Sequence, residues 1–237
     1  MESKKKLGII GGMGSRAGAL FLQKVINYSP AESDQEFPEI IFHNNSIIPD
    51  RTRAIIYNEA SPLTDILRSV DLFNKNKIDV IALSCITSYY YYSQITGYTD
   101  AIVLNPLHLI AECLRNEHKG ARRIGLLATT GTINTGLFHK ELDHCFGEVV
   151  TLTADCQEDL FMRAVYMKNG FKSAKISDDA RVLMDRCVQK LLEQGVDVII
   201  GGCTEVSVAI DTDTTSIPYL DTLDLLARKT VDCCYNL

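Results

Sequence analysis

The sequence predicts an α/β protein of two pseudo-symmetric, doubly wound lobes, each with a small, mainly parallel four-stranded sheet. Three observations predict this fold class. Short β-branched runs alternate with longer amphipathic runs, which is typical of parallel sheets covered by helices on both faces. The chain has 237 residues, enough for two modest domains. Phrases of the first half also recur in the second half at a nearly constant spacing.

The recurring phrases indicate an internal duplication. Gly8 in KLGIIGGMGS matches Gly125 in RIGLLATTGT, an offset of 117 residues (125 minus 8). Cys85 and Cys203 end two matching apolar runs at an offset of 118 residues (203 minus 85). IVLNPLHLIAECL matches IPYLDTLDLLARK, aligning Asn105 with Asp221 at an offset of 116 residues (221 minus 105). Since repeats of this length specify repeated structural units, we expect two similar lobes.

The predicted strands are short apolar runs that recur in the same order in both halves. They cover residues 7–10, 39–43, 79–83 and 101–104 in the first half, and 123–127, 148–152, 197–200 and 217–220 in the second. Helical patterns lie between them, for example over 62–75 and 177–194. We expect the first lobe to comprise residues 1–100 with 213–237, and the second lobe residues 101–212.

Composition and charge restrict the function classes. The formal net charge of -6 argues against a nucleic-acid partner, because phosphate binding requires a basic face. No apolar run approaches the roughly 20 residues that span a bilayer, so we expect no membrane association. Lys4–Lys6 precede an apolar stretch that glycines interrupt early, which does not fit a secretory signal. We therefore expect a cytoplasmic protein.

The eight cysteines fall into two groups. Because no secretory signal is recognised, we expect reduced thiols. Because no C-x-x-C pair occurs, we expect no metal site. Those in helix-like stretches are predicted to be small core residues: Cys113, Cys145, Cys156, Cys187, Cys233 and Cys234. Cys85 and Cys203 differ, because each follows an apolar strand at the predicted start of a helix.

The placement of Cys85 and Cys203 predicts an active site in a cleft between the lobes. Ligands of open parallel sheets bind beyond the carboxyl ends of the strands, where both thiols are expected. If the lobes face each other, one thiolate removes a proton from a carbon while the opposite thiol supplies one, which inverts the carbon. Ionising a thiol at pH 7 costs about 2 kcal/mol, and a helix N-terminus returns up to about that amount. This chemistry requires no metal.

If the substrate carries carboxylates, cationic and hydroxyl groups are needed to hold it, although a single loop arginine is more often a solvated or salt-bridged surface group. Arg51 lies in a polar loop after the second strand, and Lys168 follows at the repeat offset of 117 residues (168 minus 51). One cation per lobe would clamp two carboxylates. Thr129, Thr130 and Thr132 add hydroxyl donors, or form a plain turn. The glycine-rich start is spaced G-x-G-x-x-x-G, which is one residue longer than the dinucleotide-binding fingerprint. The second strand also lacks the acidic residue at its end that would bind a ribose, so the sequence argues against a dinucleotide cofactor.

The ordered phrases LGIIGGMG, NNSIIPDRT, LLATTGT and GGCTEV resemble the motifs of the aspartate/glutamate racemase family over nearly the whole chain. The resemblance implies racemisation of a small acidic amino acid without pyridoxal phosphate or another cofactor. It also implies a C-terminal helix that returns to the first lobe, and a homodimer. The resemblance makes Cys85 and Cys203 the catalytic thiols. It implies these substrate-binding residues: Met13, Gly14, Arg51, Ile86, Thr87, Thr129, Thr132, Lys168, Thr204 and Glu205.

The chain departs from the family pattern beside the first cysteine. The family usually reads Cys-Asn-Thr-Ala-His, whereas this chain reads Cys85-Ile86-Thr87-Ser88-Tyr89. Ile86 therefore replaces an amide that helps to hold the substrate. Two alternatives follow: a related two-cysteine enzyme that acts on a maleate-type diacid or a hydantoin, with one cysteine adding covalently, or a relative that binds a dicarboxylate without turnover.

Overall fold

The computed structural model describes residues 4–142, 146–210 and 215–237. Cys145, which the sequence predicted to be a core residue, lies outside the described residues. The described chain forms two compact units. The first unit contains the residues up to Asn105 together with Leu223–Leu237, and the second contains Pro106–Thr222.

The first unit is built on a parallel sheet with the strand order β2-β1-β3-β4, four strands within the described chain. The strands are β1 (Leu7–Gly11), β2 (Ile40–Asn44), β3 (Val80–Leu83) and β4 (Ile102–Val103). All three ladders are parallel, and β1 pairs with both β2 and β3. The two inner strands are buried along their whole length, which explains why they read as continuous apolar runs.

Four α-helices of this unit precede Asn105 in the described residues. They are α1 (Ser15–Tyr28), α2 (Arg51–Tyr57), α3 (Leu63–Lys75) and α4 (Tyr92–Thr96). Two 3-10 segments, Asp34–Glu36 and Ile86–Tyr91, complete the connections. The amphipathic pattern of α3 is confirmed, because Ile66, Val70 and Phe73 all lie on its buried face at helical spacing.

A tight turn follows β1 and depends on Gly12. Its φ of 86° lies in the left-handed region that favours glycine. A Cβ atom on Gly12 would also stand 2.2 Å from the carbonyl carbon of Asn45. The double glycine of the GGMG motif therefore lets the loop after β1 pass against the loop after β2, so that Met13 and Gly14 emerge at the carboxyl edge of the sheet.

The second unit repeats the architecture with the strand order β6-β5-β7-β8, again four parallel strands in the part of the chain that is described. Its strands are β5 (Arg123–Leu127), β6 (Glu148–Val150), β7 (Val198–Gly201) and β8 (Tyr219–Asp221). Its helices are α5 (Pro106–Glu117), α6 (Thr130–Asn134), α7 (Leu137–Leu142), α8 (Ala154–Cys156), α9 (Arg163–Tyr166), α10 (Asp178–Glu193) and α11 (Thr204–Ala209). A π-helical segment, Gln157–Met162, joins α8 to α9.

Each duplicated half contributes its last helix to the unit of the other half. Helix α5 follows β4 of the first sheet but belongs to the second unit. The C-terminal helix α12 (Thr222–Tyr235) follows β8 and, from Leu223 onwards, belongs to the first unit. Asp224 attaches α12 to α1, because its carboxylate accepts hydrogen bonds from Lys24, over 2.8 Å, and from Tyr28.

The predicted α/β class with two small parallel sheets is confirmed, and each predicted strand has a counterpart. Three edge strands, β4, β6 and β8, are shorter than predicted, while β2, also at a sheet edge, keeps its predicted five residues. The seven described cysteines are free thiols, of which Cys113, Cys187 and Cys234 are buried as predicted. Cys156 and Cys233 are partly exposed instead, so the core prediction was wrong for these two. No described helix is both long and apolar enough to cross a membrane.

Candidate active site

Cys85 marks the carboxyl edge of the first sheet. It lies two residues beyond β3 in extended backbone (φ -153°, ψ 112°) and is the N-cap of the 3-10 segment Ile86–Tyr91. Ser88 closes this turn by donating from its Oγ to the carbonyl oxygen of Cys85 over 2.6 Å. The Cys85 side chain is 6% exposed, and Ile86 and Thr87 beside it are also buried. The thiol is therefore held at the end of an inner strand by a rigid turn.

Arg51 projects from the neighbouring loop of the same unit. It is the first residue of α2, after the N-cap Asp50, whose carboxylate accepts from the backbone N–H of Arg53. The guanidinium group donates to the carbonyl oxygens of Pro49 over 3.0 Å and of Met13 over 2.5 Å. Arg51 is only 5% exposed. Backbone groups from two loops thus fix the direction of this cation, which the sequence predicted to lie in a loop and which begins α2 instead.

Arg51 and Cys85 belong to the same neighbourhood of the first unit. Tyr91, which ends the 3-10 segment that Cys85 begins, has its pKa raised by burial, while the positive charge of Arg51 acts in the opposite direction. Met13 connects the first loop to Arg51 through its carbonyl group, and the next residue, Gly14, is the N-cap of α1. The structure thus brings the predicted site residues of this unit to one edge, where β1, β2 and β3 end.

Cys203 occupies the equivalent place in the second unit. It lies two residues beyond β7, in extended backbone (φ -138°, ψ 135°), and is the N-cap of α11. Its Sγ donates a hydrogen bond to Oε2 of Glu205 over 2.9 Å, and the Oγ1 of Thr204 donates to the same oxygen over 3.4 Å. All three residues are buried. The sequence predicted Thr204 and Glu205 as substrate-binding residues, and the structure gives both a direct contact within the Cys203 cluster.

Lys172 completes this cluster. Its Nζ lies 3.5 Å from Oε1 of Glu205 and 5.1 Å from the ring centroid of Tyr166. Burial raises the pKa of the Cys203 thiol well above its ordinary value, and the negative charge of Glu205 raises it further, whereas the Lys172 charge lowers it. The thiol form of Cys203 is therefore favoured, with a carboxylate already in place to accept its proton.

The lysine in this cluster is not the one that the repeat offset selected. Lys168 is exposed in the turn after α9, so its substrate-binding role stays a prediction. Lys172 stands 121 residues after Arg51 (172 minus 51), outside the repeat offset, and the sequence analysis missed it. The G-F-K phrase around it carried no periodic signal, because the segment between α9 and α10 is irregular.

Thr129 and Thr132 form the turn after β5. Thr129 is the N-cap of α6, and its Oγ1 accepts from the backbone N–H of Thr132 over 3.4 Å and lies 3.2 Å from the Thr132 hydroxyl. Both side chains are buried. Gln157, at the start of the π-helical segment, donates from Nε2 to the carbonyl oxygen of Ala128 over 2.9 Å and so supports this turn. Sequence reasoning missed Gln157, because its role depends on a contact with a distant loop.

Comparison with known proteins identifies the family of the chain. A family model described as Asp/Glu/Hydantoin racemase matches residues 10–230. The chain belongs to the Asp/Glu/hydantoin racemase family. Racemases are isomerases, and this protein is one of them. The resemblance predicted from the four ordered motifs is thereby confirmed.

Three racemases are similar to almost the whole chain. The broad specificity amino-acid racemase RacX of Bacillus subtilis is 26% identical over 230 residues, which are 95% of this chain and 96% of RacX. The structure of Picrophilus torridus aspartate racemase is 27% identical and has a TM-score of 0.82, covering 96% of this chain and 93% of that one. Glutamate racemase from Francisella tularensis, in complex with D-glutamate, shares the fold at 13% identity, with a TM-score of 0.67 and coverage of 98% and 81%.

Proposed function

We propose that the protein racemises an acidic amino acid, aspartate or glutamate, without pyridoxal phosphate, using Cys85 and Cys203 as the two acid/base groups. One observation carries the proposal: each unit places a buried cysteine two residues beyond its inner strand, as the N-cap of the following helical segment. The relatives named as aspartate and glutamate racemases support an acidic substrate. The proposal includes a cytoplasmic location and a homodimer.

In the proposed reaction, the Cα–H bond of the substrate breaks and its proton moves to the thiolate sulfur of one cysteine. The electron pair stays on the substrate as a carbanion that is delocalised into the α-carboxylate. The thiol of the other cysteine then gives its proton to the opposite face of Cα and becomes a thiolate. Inversion therefore leaves the two cysteines with exchanged protonation states, and the next turnover runs in the reverse sense or follows proton exchange with solvent.

Glu205 has a specific part in this scheme. For Cys203 to act as the base, its thiol must first lose a proton, and Glu205 Oε2 is 2.9 Å from the sulfur that carries it. Lys172 stabilises the carboxylate that accepts the proton, since its ammonium group lies beside the other oxygen. When Cys203 acts as the acid, it becomes a thiolate, and a proton from solvent, passed through Glu205, restores the thiol.

The substrate carboxylates require donors that are already oriented. Arg51 supplies a guanidinium group that the carbonyl oxygens of Met13 and Pro49 hold in place. The hydroxyls of Thr87, Thr129, Thr132 and Thr204, the main chain at Gly14 and the Lys168 ammonium group are the further donors in the proposal. Because a bound dicarboxylate brings negative charge next to buried groups, these donors offset the cost of removing it from water.

Solvent deuterium exchange tests the proposal. Purified protein incubated with L- or D-aspartate and L- or D-glutamate in deuterium oxide should exchange the α-hydrogen and interconvert the enantiomers without added cofactor, as read by proton NMR. Cys85→Ser and Cys203→Ser should each reduce racemisation by about 10²–10⁴-fold. Each variant keeps one thiol, so each should retain exchange with only one enantiomer, and the two variants should retain opposite ones.

Cys233→Ser is the matched control, because Cys233 is a partly exposed thiol on α12 outside the cluster. Its racemisation rate should equal that of the unaltered protein. Equal rates in either Cys85→Ser or Cys203→Ser and the control would refute the two-thiol assignment. Binding of aspartate without any exchange would instead identify the chain as a binding relative. Sedimentation velocity at several protein concentrations tests the homodimer.

Ile86 favours a second candidate substrate class. This residue is buried directly beside Cys85, where its side chain offers no hydrogen bond to a free amino group, which a maleate-type diacid and a hydantoin lack. A maleate-type diacid or a hydantoin would lose less at such a position than an amino acid would. Incubation with maleate followed by intact-protein mass spectrometry would detect a covalent adduct, and an adduct together with absent aspartate exchange would favour this class.

A further inference from the structure

A mixed cluster of ligating side chains lies at the C-terminal end of α5, outside the cysteine sites described above. The thiol of Cys113, the carboxylate of Glu117 and the imidazole of His118 have ligand atoms that all lie within 4.8 Å of one another. The backbone N–H of His118 donates to the carbonyl oxygen of Leu114 over 3.1 Å. His118 directly follows α5, is held to its last turn by this bond, and its ring reaches the Cys113 thiol within 4.8 Å.

Although the sequence predicted no metal site, we propose that Cys113, Glu117 and His118 bind a divalent transition-metal ion, with Zn²⁺ as the best fit. One sulfur, one nitrogen and one oxygen donor form a set that suits this borderline-soft ion, and water would fill the fourth position. Bonds of about 2.0–2.3 Å in a tetrahedral site place the ligand atoms about 3.3–3.8 Å from one another. This is somewhat closer than the 4.8 Å within which the three ligand atoms lie in the structure. Cys113 is buried, while Glu117 is exposed and His118 partly exposed, so the two outer side chains can close on the sulfur.

The electrostatics of this helix end favour a cation. The carbonyl groups of the last turn of a helix carry a partial negative charge, which the Glu117 carboxylate increases. Burial raises the pKa of Cys113, and the neighbouring Glu117 charge raises it further. A bound divalent ion would reverse this situation, because it offsets the carboxylate and stabilises the thiolate as a ligand.

The position of the cluster indicates a stabilising rather than a catalytic ion. His118 precedes Arg123, the first residue of β5, by five residues (123 minus 118), so the cluster lies near the amino end of that strand. Cys203 lies beyond the carboxyl end of β7, which runs parallel to β5. An ion bound here would join the C-terminal end of α5 to the segment that connects α5 to β5. Because only the folded chain presents the three donors together, binding would raise the stability of the second unit.

Metal titration of the full chain with its thiols kept reduced tests the proposal. Zn²⁺ affinity is measured by competition with a chelating dye, and Co²⁺ is used as a spectroscopic probe for sulfur ligation. Cys113→Ser and His118→Ala should each weaken Zn²⁺ binding by about tenfold or more. Cys113→Ser should also remove the thiolate-to-cobalt charge-transfer band. Zn²⁺ should raise the melting temperature of the unaltered protein but not that of His118→Ala.

His108→Ala is the matched control, because His108 lies on the same helix and pairs with the carboxylate of Glu141 at 3.4 Å. Its Zn²⁺ affinity should equal that of the unaltered chain. Equal affinities for the unaltered protein, Cys113→Ser and His118→Ala would overturn the proposal, as would absence of Zn²⁺ binding. If Cys113→Ser does not fold, the partly exposed His118 variant decides the question alone.

Discussion

The Sγ of Cys203 donates a hydrogen bond to Oε2 of Glu205 over 2.9 Å, and both side chains are buried. A thiol and a carboxylate in such contact compete for one proton in surroundings of low dielectric constant. Lys172 lies 3.5 Å from the other oxygen of the Glu205 carboxylate. Its positive charge lowers the pKa of the Cys203 thiol and so favours the thiolate. The reactivity of Cys203 therefore depends on Glu205 and Lys172, which shift the pKa of its thiol in opposite directions.

Replacing Glu205 tests the first of these influences. The Glu205 charge and its hydrogen bond both raise the pKa of Cys203, so Glu205→Gln should lower that pKa. The pH at which iodoacetamide labels the Cys203 peptide should fall, as measured by mass spectrometry, while racemisation falls by about 10²–10⁴-fold because the proton acceptor is lost. Glu148→Gln, on an exposed residue paired with Arg123, is the control and should change neither quantity.

Replacing Lys172 should have the opposite effect on the thiol. The Lys172 charge lowers the pKa of Cys203, so Lys172→Met should raise it and move labelling of Cys203 to higher pH. Lys168→Met should leave the labelling curve unchanged, because Lys168 is exposed in the turn after α9. The proposed role of Lys168 in carboxylate binding predicts a higher KM instead. A shift of the labelling curve to lower pH in Lys172→Met would contradict the electrostatic account.

Arg51 offers a test of substrate orientation. Lysine cannot reproduce the planar guanidinium group that donates to Pro49 and Met13, so Arg51→Lys should bind the substrate carboxylate poorly. A hydrogen bond to a charged group contributes about 1.5–3 kcal/mol, so KM for aspartate should rise by about tenfold or more. Arg53→Lys is matched in type and position, but its side chain is exposed and pairs with Glu59. An equal rise in KM in both variants would show that Arg51 does not contact the substrate.

The turn after β1 yields a prediction about stability. Gly12→Ala combines an unfavourable positive φ with a Cβ contact of 2.2 Å to backbone, so it should lower the free energy of unfolding by more than about 2 kcal/mol. Gly195→Ala isolates the first effect, because Gly195 has a φ of 69° but open space where the Cβ would stand. It should cost about 1 kcal/mol. Urea denaturation measures the free energy of unfolding of both variants. Equal losses would show that the loop at Asn45 moves to make room for the Cβ atom at no cost in stability.

The sequence allowed the fold to be predicted because its signals were local and repeated. Continuous apolar runs mark inner strands such as β3 and β7, since both faces of those strands are covered. Because Cys85 and Cys203 each follow such a run closely, the sequence also predicted that both lie at the carboxyl edge of a sheet. The end of an edge strand such as β4 was less predictable, because pairing on one side weakens the pattern.

The partners within the Cys203 cluster could not be predicted in the same way. Lys172 and Glu205 are separated by 33 residues (205 minus 172) and by the whole of α10. Their contact results from the path of an irregular segment, which leaves no periodicity in the sequence. Gln157 is a similar case, because its amide contacts Ala128, which lies 29 residues away in the chain. Sequence patterns predict elements, but such contacts depend on how the elements pack.

The exchange of final helices has a consequence for biosynthesis. The unit that the ribosome makes first lacks α12 until residues 222–235 have been translated, so it is the last to be completed. The second unit receives α5 before its own first strand is made and can finish its core earlier. Truncation before α12 would consequently damage the amino-terminal unit, where Asp224 would no longer meet Lys24 and Tyr28.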